Sequence, residues 1–317
     1  MKNKTITEIE EYLQKYKYDQ DLDDFQSQKS LMPECLILKK HNVGTVFYDF
    51  HHHDLYEILY IVKGKVVYLV ENKKYTLESG EMVLISPSIL HKLQTIVEEP
   101  CERIVITFTE RFAKNNSTNN TDLLRIFKVM NESKYHKLSF NNAYKRKLEA
   151  LLDTMQRIMF EERYGTDVIY NASFCSLMVL INRELESNIT EIYPISFENE
   201  LILEAGNYIE DHLHERLTVD DIAKHVSLSA SRLHHVFKYE TGISILKYIN
   251  KKRLAKAKEL LKTGDPIINI YHKCGFQDYT SFFRAFKKEY NITPKEFQNK
   301  YFESVKNGFF EEKNKVD

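Results

Sequence analysis

Between residues 34 and 110 apolar and polar residues alternate in short runs: ECLILKK, VGTVFYDF, EILYIVKG, KVVYLVEN, KKYTL, EMVLISP, KLQTIV and RIVITFT. Turn formers separate them at Lys63-Gly64-Lys65, Glu71-Asn72-Lys73 and Glu78-Ser79-Gly80. Many short strands at regular spacing predict a sandwich or barrel. Before this region, Ile6, Ile9, Leu13 and Tyr16 recur at helical spacing, which predicts a short packing helix or arm over residues 1–30. After it, the polar tract NNSTNN at 115–120 reads as a loop. The period then becomes helical. Leu148, Leu151, Leu152, Met155, Ile158 and Met159 form one apolar stripe, Gly165 breaks it, and DVIYNASFCSLMVLINREL follows as a second, more apolar helix. Two such helices form a hairpin. Its apolar surface needs a partner, either its own β domain or a second copy of the chain. From Leu201 onward the pattern is helical, punctuated by Thr218, Ser229, Gly242, Gly264, Gly275 and Pro294.

The expected organisation is therefore α+β and multidomain. A helical arm over 1–30 precedes a β domain over 31–112. A helical connector or dimerisation region over 113–195 leads to an all-α domain over 196–303 and a tail over 304–317.

The all-α part repeats itself. Ile222-Ala223 recur as Ile270-Tyr271 and Ser227-Leu228 as Gly275-Phe276, while Leu233, Phe237 and Lys238 recur as Phe282, Phe286 and Lys287. Each copy has helix-turn-helix spacing. In the first, TVDDIAKHV starts at Thr218, Ser227-Leu228 form the turn, and Ser229 caps SASRLHHVFKYE. Leu233 and Phe237, at i and i+4, bury that second helix and leave Ser231, Arg232, His234, His235 and Lys238 on its other faces. In the second, Pro266 opens PIINIYHKC, Gly275 makes the turn, and Asp278 caps DYTSFFRAFKKEY. Phe282 and Phe286 are buried there; Tyr279, Thr280, Phe283 and Arg284 remain available.

Charge changes the picture only when it is read locally. The 317 residues carry 45 Lys and Arg against 46 Asp and Glu, a net charge of −1, which by itself argues against a nucleic-acid binder. Between residues 201 and 300, however, Lys and Arg outnumber Asp and Glu by 17 to 12, a surplus of five, so the remainder carries −6. The cations cluster in KYINKKRLAKAKELLK and RAFKK, an electrostatic footprint for phosphates beside two helix-turn-helix units.

Other classes lose ground. No stretch approaches the roughly 18 apolar residues of a membrane span. The N-terminus has no apolar run of a secretory kind. Cys35, Cys101, Cys175 and Cys274 are far apart and form no C-x-x-C pair, so a cytoplasmic location is expected. No phosphate-cradling glycine motif is present.

Residues 201–302 resemble the DNA-binding domain of AraC/XylS-family transcription regulators. The matching positions include Leu217, Ala223, Ser229, Leu233, Phe237-Lys238, Gly242, Arg253-Leu254 and Ala257 in and after the first unit. In and after the second they include Ile270, Gly275-Phe276, Phe282, Arg284, Phe286-Lys287-Lys288, Thr293-Pro294 and Phe297. The resemblance implies seven helices, with Ser244–Lys262 joining two reading heads whose second helices enter successive major grooves, about 34 Å apart. It places Ser231, Arg232, His234, His235 and Lys238 on DNA from the first head, and Tyr279, Thr280, Phe283, Arg284 and Lys287 from the second. Arg284 is the bidentate guanine donor or a phosphate contact; Phe283 reads a thymine methyl or packs. Three positions depart from the family pattern. Ser227 stands for the turn Gly, Tyr271 for a small residue of the second unit's first helix, and Asn291 for a Gly.

His51, His53 and Glu57 stand as H-x-H-x-x-x-E, followed by Gly64 and, downstream, by Gly80, Pro87 and His91. This resembles the two motifs of the cupin barrel, and residues 34–110 resemble the sensory cupin of AraC-type regulators. In metal-binding cupins the matching positions, His51, His53, Glu57 and His91, are the ligands, and three imidazoles with a carboxylate suit a divalent transition metal. Otherwise these residues and Tyr56 form a polar pocket for a small-molecule effector, with Tyr60 and Tyr68 as further lining. His52, on the opposite parity, is expected in solvent.

The sequence thus predicts a regulator that binds promoter DNA, senses a small molecule and forms a homodimer without membrane contact. The competing readings are a metal-dependent cupin enzyme with an accessory helical domain, and a co-regulator that binds protein instead of DNA.

Overall fold

The computed structural model describes residues 34–42, 50–95, 100–188 and 200–313. The arm expected over 1–30 and nearly all of the VGTVFYDF run lie outside the described residues. The chain forms two compact units, one of residues up to 196 without 71–73 and one of residues 71–73 with those from 197 onward.

Among the described residues the first unit contains eight strands: β1 (Cys35–Asn42), β2 (Tyr56–Lys63), β3 (Lys65–Val70), β4 (Lys73–Glu78), β5 (Glu81–Ile85), β6 (His91–Thr95), β7 (Cys101–Phe108) and β8 (Lys137–Ser139). They form a five-stranded sheet in the order β1-β7-β2-β5-β8 and a three-stranded sheet in the order β4-β3-β6. The expected cupin-like barrel is thus realised as two packed sheets; among the described residues no closed barrel forms. An isolated bridge between His51 and His91 ties the segment entering β2 to β6. At the β2–β3 turn Gly64 has φ +85°, and a Cβ there would lie 2.7 Å from the Pro100 carbonyl oxygen, so no side chain fits.

Strand parity explains the two cores. On β2 and β7 the odd positions Leu59, Ile61, Cys101 and Val105 face β3 and β6, where they meet Val66, Tyr68, Val70 and Leu93. The even positions Ile58, Tyr60, Ile104, Ile106 and Phe108 face a second layer of helices. These are α1 (Glu110–Asn115), α2 (Arg125–Ser133), α3 (Asn142–Ile158) and α4 (Thr166–Asn188). Central strands covered on both faces read as continuous apolar runs, as EILYIVKG and RIVITFT do. The predicted stripe packs here through Leu148, Leu152, Met155, Ile158 and Met159, and α4 adds Tyr170, Phe174, Leu177, Met178 and Ile181. The hairpin between them turns at Gly165, φ +77°. The helical connector therefore covers the five-stranded sheet. β8, three residues long, was too short to show a period.

Among the described residues the second unit holds seven helices: α5 (Glu200–Asp211), α6 (Val219–His225), α7 (Ala230–Thr241), α8 (Ile245–Lys262), α9 (Ile267–Lys273), α10 (Tyr279–Tyr290) and α11 (Pro294–Lys313). The last runs past residue 303, where the domain was expected to end. Thr218 and Asp221 make a reciprocal capping box at α6, Ser229 accepts from the Arg232 amide at α7, and Asp278 accepts from the Ser281 amide at α10. The two turns share one conformation. Ser227 has φ +57° where Gly275 has +82°, and Asn291 closes α10 at +59°. For Ser227 that left-handed backbone costs about 1–2 kcal/mol, which a glycine would avoid.

Candidate functional site

The repeat places equivalent residues on equivalent faces. Leu233, Phe237, Phe282 and Phe286 are fully buried, which orients α7 and α10 in their heads. Ser231, Arg232, His234, His235 and Lys238 are exposed on α7; Tyr279, Thr280, Arg284 and Lys287 are exposed on α10. Thr280, Arg284 and Lys287 follow at i, i+4 and i+7, as do Ser231, His235 and Lys238, so each helix presents one polar stripe. Phe283 is half-buried, its ring 5.9 Å from that of Tyr279, and Tyr271 packs 6.1 Å from Tyr279. The bulky Tyr271 is thus accommodated by an aromatic cluster at the start of α10. Tyr239, 80% exposed on α7 beside Lys238, was not singled out by the sequence.

The basic run on α8 is used differently from the expectation. Lys251 is buried and bonds Glu289 at 2.7 Å, Arg253 donates to two backbone carbonyls, Lys258 lies over the rings of Tyr290 and Phe297, and Lys262 bonds Glu259. These cations hold the domain together. Arg232, Lys238, Arg284, Lys287 and Lys288 are exposed on α7 and α10, and Lys247 and Lys256 remain exposed on α8.

In the first unit His51, His53, Glu57 and His91 converge, all buried. They do not share one strand. His51 and His53 lie before β2, Glu57 is its second residue, and His91 opens β6. One nitrogen each from His51, His53 and His91 lies within 4.8 Å of the others. His53 Nδ1 faces the Leu55 carbonyl at 2.9 Å and Nε2 faces Glu57 Oε2 at 3.2 Å. His91 Nδ1 faces the Ile89 carbonyl at 2.8 Å, and its Nε2 lies 3.9 Å from the same carboxylate oxygen. The Tyr68 hydroxyl donates to Glu57 Oε1 at 2.8 Å.

A carbonyl only accepts, so Nδ1 of both rings carries a proton; Nε2 turns inward, where on His53 a second proton bonds Glu57 and would give way to the nitrogen lone pair when a metal binds. Backbone carbonyls orient metal-binding histidines in this way. His91 Nε2 is buried without a hydrogen-bond partner, and both nitrogens of His53 face acceptors. A cation between Nε2 and Glu57 satisfies both conditions, so the donor set fits a divalent transition metal. His51, His53, His91 and Glu57 would hold such an ion, which would supply a coordination centre there. Burial holds His91 down at about 4, against the pull of Glu57. Burial also pushes the Glu57 carboxyl up, but hydrogen bonds from His53 and Tyr68 and the neighbouring imidazoles outweigh it and keep the group well below the usual carboxylate range.

The cavity beside the cluster is small, about 10 Å³, lined by His51, Glu57, Leu59, Tyr68, Leu93, Arg103 and Val105. That is room for one water-sized species, far below the few hundred Å³ of an organic ligand site. Tyr56 is not among its lining residues. It stacks on Phe108 at 5.4 Å and meets Phe127 at 4.8 Å, because its even parity on β2 turns it toward the helices. Tyr60 shares that face and bonds Glu149. His52 is 3% exposed, not in solvent: the irregular segment before β2 does not follow strand parity. Arg103, 2% exposed, was missed; its signal was a lone cation at an inward position of an apolar strand.

A histidine-lined β domain joined to two capped helix-turn-helix units defines a transcription regulator with a sensor domain. Residues 38–163 match the AraC-like ligand binding domain, and residues 222–300 match a helix-turn-helix domain. The chain belongs to the AraC family of transcription regulators. It is 24% identical over 250 residues to the HTH-type transcriptional activator RhaS of Escherichia coli O81 (strain ED1a), covering 78% of this chain and 86% of that one. Among solved structures it is similar to unsaturated fatty acid bound wild-type ToxT from Vibrio cholerae strain SCE256, with 18% identity, 83% of this chain, 94% of that chain and a TM-score of 0.36. The C-terminal domain of the two-component response regulator yesN from Fusobacterium nucleatum subsp. nucleatum ATCC 25586 is 34% identical over 30% of this chain and 93% of its own, with a TM-score of 0.29. The family is one of DNA-binding regulators, so the cupin-enzyme reading is set aside. Among the described residues no helix is long and apolar enough to cross a membrane.

Proposed function

We propose that this regulator reads promoter DNA with the exposed stripes of α7 and α10, and that its β domain controls them through a divalent metal ion held by His51, His53, Glu57 and His91. The observation that carries the DNA reading is the pair of matched stripes, Ser231, His235 and Lys238 beside Thr280, Arg284 and Lys287, on helices whose opposite faces are fully buried. Arg284 offers a planar fork for guanine, and Lys238 and Lys287 supply point charges for phosphates. His234 and Tyr239 complete the first head's surface. Such an interface is strongly salt-dependent: with 6–10 phosphate contacts, affinity falls about 10³–10⁵-fold between 50 and 200 mM salt.

A gel-shift titration of the full chain against the DNA upstream of its own gene, at both salt concentrations, tests this. Arg284→Ala is expected to lose about 1–3 kcal/mol and to relax preference at one base position. Uniform weakening across all sequences would move Arg284 to phosphate, and salt-independent binding without sequence preference would sink the DNA reading.

The metal, when bound, supplies a coordination centre. The protein's own part is to orient the His53 and His91 imidazoles through the Leu55 and Ile89 carbonyls and to hold Glu57 charged through Tyr68. The 10 Å³ cavity favours an ion over an organic effector in this conformation. In this reading a small-molecule effector binds through the ion, after the sheets part, or elsewhere in the β domain.

The α3–α4 hairpin supplies the face for a homodimer. Tyr164, Val168 and Ile169 are 105%, 65% and 51% exposed, a contiguous apolar patch on an otherwise packed layer. Val168→Asp is expected to convert a dimer to a monomer in sedimentation; a variant that still sediments as a dimer removes this face from the interface.

A further inference from the structure

The second unit contains a junction that its DNA-reading residues do not explain. Arg253 leaves the middle of α8 half-buried. Its Nε donates to the Leu213 carbonyl at 3.1 Å and a terminal nitrogen donates to the Glu215 carbonyl at 2.8 Å. Both carbonyls belong to the segment between α5 and α6, which leads into the first head. The guanidinium carbon also lies 6.0 Å from the centroid of Phe276, in the turn of the second head. Gly275, in that same turn, approaches so closely that a Cβ would sit 2.1 Å from the Leu213 carbonyl oxygen and 2.8 Å from Arg253 Nε. Backbone from the first head, backbone from the second head and the joining helix therefore meet at one guanidinium. Two residues earlier on α8, Lys251 bonds Glu289 near the end of α10 and braces the same helix from the other side.

We propose that Arg253 is a positioning residue that locks the two reading heads at one separation and so sets the spacing between half-sites that the protein accepts. A guanidinium suits this task because its planar fork reaches two carbonyls while its face covers a ring; a lysine ammonium keeps the charge but loses the fork and the stacking. Successive base pairs along DNA differ by about 3.4 Å and about 35° of rotation. A rigid pair of heads cannot follow such a shift, whereas a loosened pair can. The proposal rests on the assignment of α7 and α10 as the helices that enter DNA, and the test separates the two.

Spin labels at Tyr239→Cys and Lys288→Cys, equivalent exposed positions of the two heads, report the separation in the full chain without DNA, in a Cys175→Ser background. With Arg253 in place one narrow distance distribution is expected; Arg253→Lys and Arg253→Ala should each broaden it at least about twofold, the lysine variant serving if the alanine variant does not fold. In parallel, a site selected from random DNA by the wild-type protein is lengthened by one base pair between its halves. The wild type is expected to lose roughly tenfold in affinity, and Arg253→Lys less than about threefold, with an unchanged slope of affinity against salt. An Arg253→Lys protein that keeps the full spacing penalty overturns the proposal whatever the distances show. So does a wild type that binds sequence-specifically but tolerates the insertion. A wild type that selects no sequence at all fails the DNA reading instead, and the distance distributions alone then decide whether Arg253 holds the heads.

Discussion

Phe286→Ala is expected to remove about 3–5 kcal/mol from the DNA-binding unit, close to what a large buried aromatic costs when it is truncated in a packed core. Phe286 is fully buried, and its ring meets Tyr290 at 4.5 Å, Phe282 at 5.7 Å and Phe297 at 6.0 Å. It thus joins α10 to α11 and anchors the inner face of the second reading helix. Neighbours on three sides restrict collapse into the space left behind, so the upper part of that range applies. A single domain has about 5–15 kcal/mol to lose, and the second head should melt first. Denaturant titration of the full chain, followed by far-UV circular dichroism, measures this. A loss under about 1 kcal/mol would mean that the ring is not a structural anchor. The adjacent exposed Lys287→Ala is the matched control. It should change stability by less than about 0.5 kcal/mol yet weaken DNA binding and lower the salt slope by about one. A lysine variant that unfolds the head, or leaves binding intact, would reverse the assignment of faces on α10.

One equivalent of a divalent transition metal is expected to bind the chelator-treated protein, and His91→Ala to weaken that binding by more than the 10–100-fold that loss of an outer partner of a ligand costs. His91 is the diagnostic residue because it is fully buried and its Nε2 points into the cluster without a hydrogen-bond partner. Binding to the folded state alone stabilises it by about 2.7 kcal/mol when free metal stands at a hundred times the dissociation constant. The melting transition of the β unit should therefore rise by several degrees with Ni²⁺ or Zn²⁺, and the rise should vanish in His91→Ala. Tyr68→Phe removes only the hydroxyl that bonds Glu57 and should weaken metal binding by about 10–100-fold. If metal leaves the wild-type melting temperature unmoved, or shifts wild type and His91→Ala equally, the cluster is an imidazole–carboxylate network and not a metal centre.

Much of this molecule was legible in its sequence because the relevant constraints are local. The capping residues Thr218, Ser229 and Asp278 and the buried pairs Leu233 with Phe237 and Phe282 with Phe286 follow from spacings of three to five residues, within reach of one helical turn, while the left-handed turn at Ser227 was legible from the family resemblance. The histidines at 51, 53 and 91 were legible as a set only through a motif. The inward turn of Nε2 on His53 and His91 depends on the Leu55 and Ile89 carbonyls, whose positions no spacing reveals.

Tyr56 was assigned to the pocket as an aromatic beside the histidine motif, although its even position on β2 turns it to the helices; His52 was assigned to solvent from parity, which holds only where the chain is a strand. Part of the basic run on α8 turns inward, which the sequence did not show because charge in a sequence carries no direction. Folding turns Lys251 onto Glu289 and Arg253 onto two carbonyls. The sequence by itself determined the elements, their caps, the duplicated reading heads and the residue types of the histidine cluster, since these are set by short-range periodicity and chain stereochemistry. Only the tertiary structure decided which cations face outward, how small the space beside Glu57 is and that one guanidinium joins both heads, because those depend on groups distant in sequence being brought within a few ångströms of one another.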